Sequence, residues 1–267
     1  MKVIFIGDIV GKIGRKAVAK VLPAWKKKYK PDFVIANGEN LAHGVGMTEK
    51  TVREVLGAGV DMLTGGNHSF KGEGWKLLER GELPLLRPAN CPPDVPGEGS
   101  RVLQKDGKDG QRLLVINLIG RVFFHQNYDD PFRKFEAILA NHAQADYDGV
   151  FVDFHTEATS EINALGHFAD GRAAAVVGTH THIGTVDARV LPKGTAFVSD
   201  VGAVAAVESI LGEEKEGIIR SFLYQIPFEH NPVENGLCHI GAVLIEVDEK
   251  TKLAKSIKRI DEQIVIE

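Results

Sequence analysis

Up to Thr64 the chain alternates short β-rich runs with helical patterns, and every β-rich run ends in polar residues. Lys2 to Ile6 is such a run, ended by Gly7-Asp8. Val18, Val21, Leu22, Trp25 and Tyr29 then share one face at helical spacing. Asp32 to Ala36 is the second run, ended by Asn37-Gly38-Glu39-Asn40. Thr48 is placed to cap a helix reaching about Leu56. Asp61 to Thr64 is the third run, ended by Gly65-Gly66-Asn67-His68. This is the order of an α/β sheet, and in such sheets ligands bind at the C-terminal edge of the strands. The polar residues fall there each time. Lys26, Lys27, Lys28 and Lys30 suit the C-terminal end of the first helix and read as a solvated helix end rather than an anion patch.

Further on the pattern loosens. Pro84 to Gly99 is rich in Pro and Gly and reads as irregular. Arg101 to Gln104 and Leu113 to Ile119 read as strands joined by a Gly-containing turn, Lys105 to Gln111, so the sheet system turns partly antiparallel. Pro131 to Ala145 reads as a helix, Gly149 to Phe154 as a strand ended by His155, and Thr159 to Ala169 as a short helix. Ala173 to Val177 is a buried strand that runs out into Gly178-Thr179-His180-Thr181-His182. In extended chain, residues two apart point the same way, so both imidazoles can face one site. Hairpins are expected about Pro192-Lys193-Gly194 and about Asp248-Glu249-Lys250-Thr251. Periodicity leaves Ile218 to Tyr224 open between strand and helix. No linker divides the chain, which reads as one domain over residues 1–267.

Hydrophobic content of 43% and charged content of 25% are those of a globular protein in water. A formal net charge of −4 is not the basic footprint of a protein that grips long nucleic acid, though a metal could hold a small charged substrate locally. The apolar run Val3 to Ile6 is too short for a signal peptide, and no stretch is long enough to span a membrane. The two cysteines, Cys91 and Cys238, argue against a disulfide framework and a thiolate zinc cluster and fit a reducing, cytoplasmic setting. The sequence is compatible with a homo-oligomer but does not specify one.

Collected from the strand ends, Asp8, Glu39, Asn40, Asn67, His68, His155, His180 and His182 comprise two carboxylates, two carboxamides and four imidazoles. Such an oxygen and nitrogen donor set suits manganese, iron or zinc rather than copper(I) or an iron–sulfur cluster. It is too large for one tetrahedral site. Two ions roughly 3.5–4 Å apart, sharing a carboxylate, are the usual arrangement for hydrolysing phosphate esters.

The motifs in this order, Gly7-Asp8-Ile9-Val10-Gly11, Asn37-Gly38-Glu39-Asn40, Gly65-Gly66-Asn67-His68, Arg87-Pro88-Ala89-Asn90, Asp153-Phe154-His155-Thr156-Glu157-Ala158-Thr159-Ser160-Glu161 and Gly178-Thr179-His180-Thr181-His182, resemble the calcineurin-like metallophosphoesterase superfamily. The likeness is nearest to its bacterial YmdB-type branch, similar to 2',3'-cyclic nucleotide phosphodiesterases, and runs over nearly the whole chain. The resemblance implies an α/β four-layer sandwich of two mixed β-sheets flanked by helices. It implies two metal ions, with iron or manganese ahead of zinc. Asp8, Glu39, Asn40 and His182 would hold one ion, and Glu39, Asn67, His155 and His180 the other, with Glu39 bridging. A water between the ions would be the nucleophile, and His68 the general acid that protonates the leaving oxygen. The implied substrate is a small phosphodiester, in particular a 2',3'-cyclic nucleotide. A phosphomonoesterase or nucleotidase would use the same ligands, and a regulatory protein with incidental phosphodiesterase activity is the reading from another class.

The chain departs from the wider superfamily at several points. Val10 stands where many relatives have a histidine, Glu39 where the bridging residue is usually Asp, and Ser69 where a Glu often follows Asn-His. A further departure is from the YmdB-type branch itself, whose resemblance implies a Met-Thr-Gly-Pro-like continuation after Ser199-Asp200-Val201-Gly202, where Ala203-Val204-Ala205-Ala206-Val207 stands instead. That difference bears on substrate preference rather than on the metals. His43, Asn90 and Arg121 are lesser candidates for substrate contact. Arg172 reads as a helix-end residue, and His125, His142, His167, His230 and His239 as surface or packing residues.

Overall fold

A computed structural model of the chain describes residues 1–105, 110–143, 146–227 and 231–267. The middle of the turn expected at Lys105 to Gln111, the last residues of the helix expected to Ala145, and His230 lie outside the described residues.

The first strand, β1 (Lys2–Ile9), is flanked by β2 (Phe33–Asn37) in parallel. On its other side the first half pairs antiparallel with β12 (Ala242–Val247) and the second half parallel with β10 (Ala203–Ala206). β3 (Met62–Thr64) extends the sheet beyond β2. β13 (Ala254–Arg259) pairs with β12, while β11 (Gly236–Ile240) and β14 (Glu262–Ile266) continue from β10. In the second sheet β5 (Arg112–Ile119), β6 (Val150–His155), β7 (Ala175–Thr179) and β9 (Ala196–Val198) are parallel. β4 (Ser100–Gln104) and β8 (Arg189–Val190) close its edges antiparallel. Its order is therefore β4-β5-β6-β7-β9-β8. Both sheets are mixed, as expected.

Side-chain alternation explains the layers, since successive residues of a strand face opposite ways. In β1, Val3 and Phe5 join the apolar layer between the sheets, while Ile4 and Ile6 pack under the helices of the first sheet. The main element there is α1 (Gly11–Tyr29), which buries Ile13, Ala17, Val18, Val21, Leu22 and Trp25. Beside it α2 (Glu49–Gly57) starts at Thr48, whose hydroxyl accepts from Thr51 N. α3 (Gly74–Arg80) adds Leu77 and Leu78 to the same layer. In β6, Phe151 faces the inter-sheet layer, and Val152 and Phe154 face the outer layer with α4 (Pro131–Asn141) and α5 (Thr159–Ala169). Helix, sheet, sheet and helix therefore stack as four layers. No helix among the described residues is long and apolar enough to cross a membrane.

Several expectations need adjusting. β1 does not end at Ile6, because it continues to Ile9 with Asp8 inside it. The helix from Pro131 stops at Asn141, with His142 as its C-cap. Ile218 to Tyr224 is helical, within α6 (Lys215–Tyr224). The Ala203 to Val207 departure forms β10, whose Ala203 pairs with Asp8. It therefore borders the strand end that carries Asp8.

The inter-sheet layer is anchored where Phe5 of β1 meets Phe151 of β6, ring centroids 5.2 Å apart and both fully buried. Truncating Phe151 to Ala is expected to lower unfolding free energy by about 3–5 kcal/mol. Urea denaturation would measure it, and a loss under about 1 kcal/mol would show that this contact does not join the sheets.

Candidate metal centre

The inter-sheet layer changes character at one edge. Along β1, β2, β3, β5, β6 and β7 the positions facing the opposite sheet begin apolar and end as Asp8, Asn37, Thr64, Asn117, Asp153 with His155, and Thr179, all fully buried. Asp8 reaches this face through a register shift between Ile6 and Asp8, which leaves Gly7 as an extra residue and pairs Asp8 with Asn37. Such bulges re-aim a side chain. Only glycine fits at the bulge, since a Cβ on Gly7 would lie 1.7 Å from the carbonyl oxygen of Gly202.

All eight side chains singled out in the sequence converge at this edge, in two groups. In one, His155 Nε2 lies 2.9 Å from Asn67 Oδ1, 3.0 Å from His180 Nδ1 and 3.4 Å from Glu39 Oε1. In the other, His182 Nε2 lies 3.3 Å from Asn40 Nδ2 and 3.9 Å from Asp8 Oδ1. His68 joins them, because its backbone N–H donates to Glu39 Oε2 at 2.9 Å and its Nδ1 donates to Asn40 Oδ1 at 2.8 Å.

His180 and His182 do not leave an extended strand in parallel. β7 ends at Thr179, and the two histidines have φ of 110° and 66°, in the left-handed region that disfavours side chains. The turn is held from three sides. Asp8 Oδ2 accepts from His180 N at 3.2 Å, Asp200 Oδ2 accepts from Thr181 N at 3.0 Å and Thr181 Oγ1 at 2.8 Å, and Ala203 N donates to the His182 carbonyl at 3.1 Å. Strain of this kind persists only where neighbours over-determine it.

Hydrogen bonds on the outer side of each ring set which nitrogen faces inward. Thr179 Oγ1 gives its one hydrogen to Asp153 Oδ1 at 2.7 Å, so at 3.0 Å it accepts from His155 Nδ1. His180 Nε2 donates to Glu157 Oε2 at 3.0 Å, which leaves Nδ1 facing His155. His182 Nδ1 donates to the Leu211 carbonyl at 3.2 Å, which leaves Nε2 facing Asp8. Asp153, Thr179, Glu157 and Asp200 were not among the expected site residues. Asp153 could have been found by parity, since it sits two before His155 on one strand. Glu157 follows no spacing rule.

Charge is concentrated here. Burial raises the Asp8 carboxyl against the pull of His182 and His155. Burial also pushes Glu39 up, yet His155 and His68 outweigh it and hold Glu39 well below the usual carboxylate range. Burial disfavours charge on His155, but Glu39, then Asp8 and Asp153, lift it to about 9. A proton and a divalent cation are alternatives among such anionic acceptors.

Three observations test whether metal ions fit. Glu39, His155 and His180 each offer a ligand atom within 4.8 Å of the others. Asp8 Oδ1 is buried with no hydrogen-bond partner among the described residues. A Cβ on Gly66 would lie 2.2 Å from Glu39 Oε2 and 2.3 Å from His155 Nε2, so the chain leaves room where these donors meet. The donors are all oxygen and nitrogen, and they fit the ions the sequence implied.

The lesser candidates lie elsewhere. Both ends of the Asn90 amide are taken by the backbone of Ile119 and Asp129. Arg121 pairs with Asp130 at 3.5 Å, and exposed His43 lines a separate cavity with Lys12, Arg15 and Lys50. Arg172 packs over Phe168 at a helix end, as expected.

Comparison with known proteins bears on this arrangement. The YmdB-like protein family matches residues 4–260. A Bacillus subtilis protein described as a 2',3'-cyclic-nucleotide 2'-phosphodiesterase is 45% identical over 262 residues, covering 97% of this chain and 96% of that protein. A crystal structure of a hypothetical protein from Thermus thermophilus superposes with a TM-score of 0.90 at 39% identity, covering 98% of this chain and 99% of that one. One described as a novel phosphatase from Mycoplasma pneumoniae superposes at 0.89 and 32% identity, covering 100% and 94%.

Two substitutions test the arrangement. Gly66→Ala is expected to abolish metal uptake, read by elemental analysis, while circular dichroism stays that of the parent. Thr179→Val removes the acceptor for His155 Nδ1 and is expected to weaken metal affinity about 10- to 100-fold. Unchanged affinity would mean that Thr179 does not orient the ring.

Proposed function

The chain belongs to the YmdB-like protein family, and from that premise we propose that it is a phosphodiesterase with two metal ions whose substrates are 2',3'-cyclic nucleotides or similarly small phosphodiesters. That the chain is a phosphoric-ester hydrolase rests on 45% identity over nearly the full length of both proteins. The observation that carries the metal-dependent reading is the gathering of these oxygen and nitrogen donors into two groups, Glu39 meeting one through His155, with Asp8 Oδ1 buried and unpartnered among the described residues.

Asp8, Asn40 and His182 would hold one ion, Asn67, His155 and His180 the other, and Glu39 would serve both. Manganese or iron, or zinc, suits this set. Such ions, when bound, neutralise charge on the phosphoryl oxygens and make a water acidic enough to attack phosphorus. The chain's own residues supply the rest. Thr179, Glu157 and the Leu211 carbonyl fix the three rings in the tautomers that turn a lone pair inward. His68 is a different case. Its Nδ1 is engaged by Asn40, and its side chain is 31% exposed, so Nε2 is left to exchange a proton. A doubly protonated His68 can donate from Nε2 to the departing oxygen of a diester, which is a poor leaving group without a proton. Glu39 Oε1 lies 3.3 Å from His68 Nδ1, on the side of the ring away from Nε2. The buried free thiols Cys91 and Cys238 are in keeping with a reducing cytoplasm.

Turnover tests this directly. Protein reloaded with manganese or iron should hydrolyse a 2',3'-cyclic nucleotide in preference to an aryl phosphate monoester. Preference for the monoester would turn the reading to a phosphomonoesterase, and no metal-dependent turnover on either would sink it. Asn67→Ala should lose metal and activity together. His68→Ala should keep both metals but lose about 10²–10⁴-fold in rate, least on substrates with good leaving groups. Loss of an ion from His68→Ala would place that residue among the ligands instead.

A further inference from the structure

Between β5 and α4 the chain makes an excursion, residues 120–130, that arcs beside the metal centre. It is clamped at both ends. Gly120 N donates to the His155 carbonyl at 2.9 Å, and Arg121 N donates to Glu161 Oε1 at 2.9 Å. At the far end Asp129 N donates to the Asn90 carbonyl at 2.8 Å, and Asn90 Nδ2 donates to the Asp129 carbonyl at 2.9 Å. Between the clamps stand Phe123, Phe124 and Tyr128. Phe124 packs against the centre itself, its ring centroid 4.9 Å from that of His180 and 6.3 Å from that of His155, with Tyr128 edge-on at 6.0 Å.

Its neighbour Phe123 is placed at a cost. The side chain is 80% exposed, and φ is 69°, where a bulky residue is disfavoured. Folding gains little from an aromatic ring that is left in water on a strained backbone. The strain and the exposure sit one residue from a ring that touches His180. A small ester held at the centre by its phosphate has its remaining bulk outside the donors, and Phe123 stands one residue from the ring that borders them. The donors in the centre recognise only charge, and nothing in them reads a base. A flat apolar surface beside a phosphate site suits a nucleobase, because stacking is available to every base.

We propose that Phe123, held out by the Phe124 anchor, is the stacking platform for the nucleobase of the substrate. This rests on the phosphodiesterase reading above and adds where the base binds and how. Selection among bases would be weak, since stacking reads a π-face rather than hydrogen-bonding groups, with purines favoured over pyrimidines by area.

The test is calorimetric binding to the full chain loaded with manganese, with adenosine 3'-monophosphate and inorganic phosphate as probes. Phe123→Ala is expected to weaken the nucleotide about tenfold while phosphate affinity stays within about twofold. Phe123→Trp should restore nucleotide affinity, and the purine preference of the parent should vanish in Phe123→Ala. In kinetics the loss should fall on KM more than on kcat. Equal weakening of both probes would show a packing role for Phe123, and unchanged nucleotide affinity would remove it from the site, so either overturns the proposal. Failure of the parent reading is distinct, because wild-type protein would then leave 2',3'-cyclic nucleotides uncleaved whatever stands at position 123.

Discussion

Removing a carboxylate from water costs on the order of several kcal/mol even after the protein relaxes, unless a counter-charge meets it. Here Asp8, Glu39 and Asp153 are all at most 1% exposed, and they lie at one end of an otherwise apolar layer between two sheets. The structure answers each differently. Asp153 accepts from Thr179 Oγ1, Asn37 Nδ2 and Thr64 Oγ1, so hydrogen bonds surround it. Glu39 is flanked by His155 and His68. Asp8 keeps one oxygen with no partner among the described residues. The unpartnered Asp8 oxygen beside inward-facing imidazole nitrogens leaves charge that a cation would match, and the chemistry proposed for the centre follows from that charge balance.

The surrounding fold is arranged to make this balance tolerable. Parallel strands from both sheets deliver their polar ends to one edge, which no single sheet could do from both sides. The bulge at Gly7 turns Asp8 inward. The left-handed turn at His180 and His182 lets one short segment serve both groups of donors, and Asp8 and Asp200 hold it. Asp8 thus has two tasks, to fix the turn through Oδ2 and to face the centre through Oδ1.

Much of this was legible in the sequence because buried parallel strands are apolar and stop abruptly. A polar residue closely following such a run marks the C-terminal edge of a strand, and Asp8, Glu39, Asn67, His155 and His180, which the structure brings together there, stand out in that way. What escaped had weaker signals. β10 is Ala-Val-Ala-Ala, whose small residues carry no strand signature, and it lies close under α1 because Gly14 has no Cβ, which would stand 2.6 Å from the Val204 carbonyl oxygen. β14 is an edge strand, β11 beside it leaves Gly236 and Leu237 exposed, and α3 has only seven residues. α6 stayed ambiguous because it buries only Ile218, so its apolar residues follow no packed face. The direction of His180 and His182 differs from the extended expectation because β7 ends at Thr179 and the two histidines lie in a turn. Glu157 reaches His180 only in three dimensions.

The central claim is that these donors form two adjacent cation sites joined by Glu39. Crystals of the protein soaked in manganese and measured for anomalous scattering would test it most directly. Two peaks are expected, one among Asn67, His155 and His180 and one among Asp8, Asn40 and His182, with Glu39 touching both. A single peak, or a second one away from Asp8, would contradict the account.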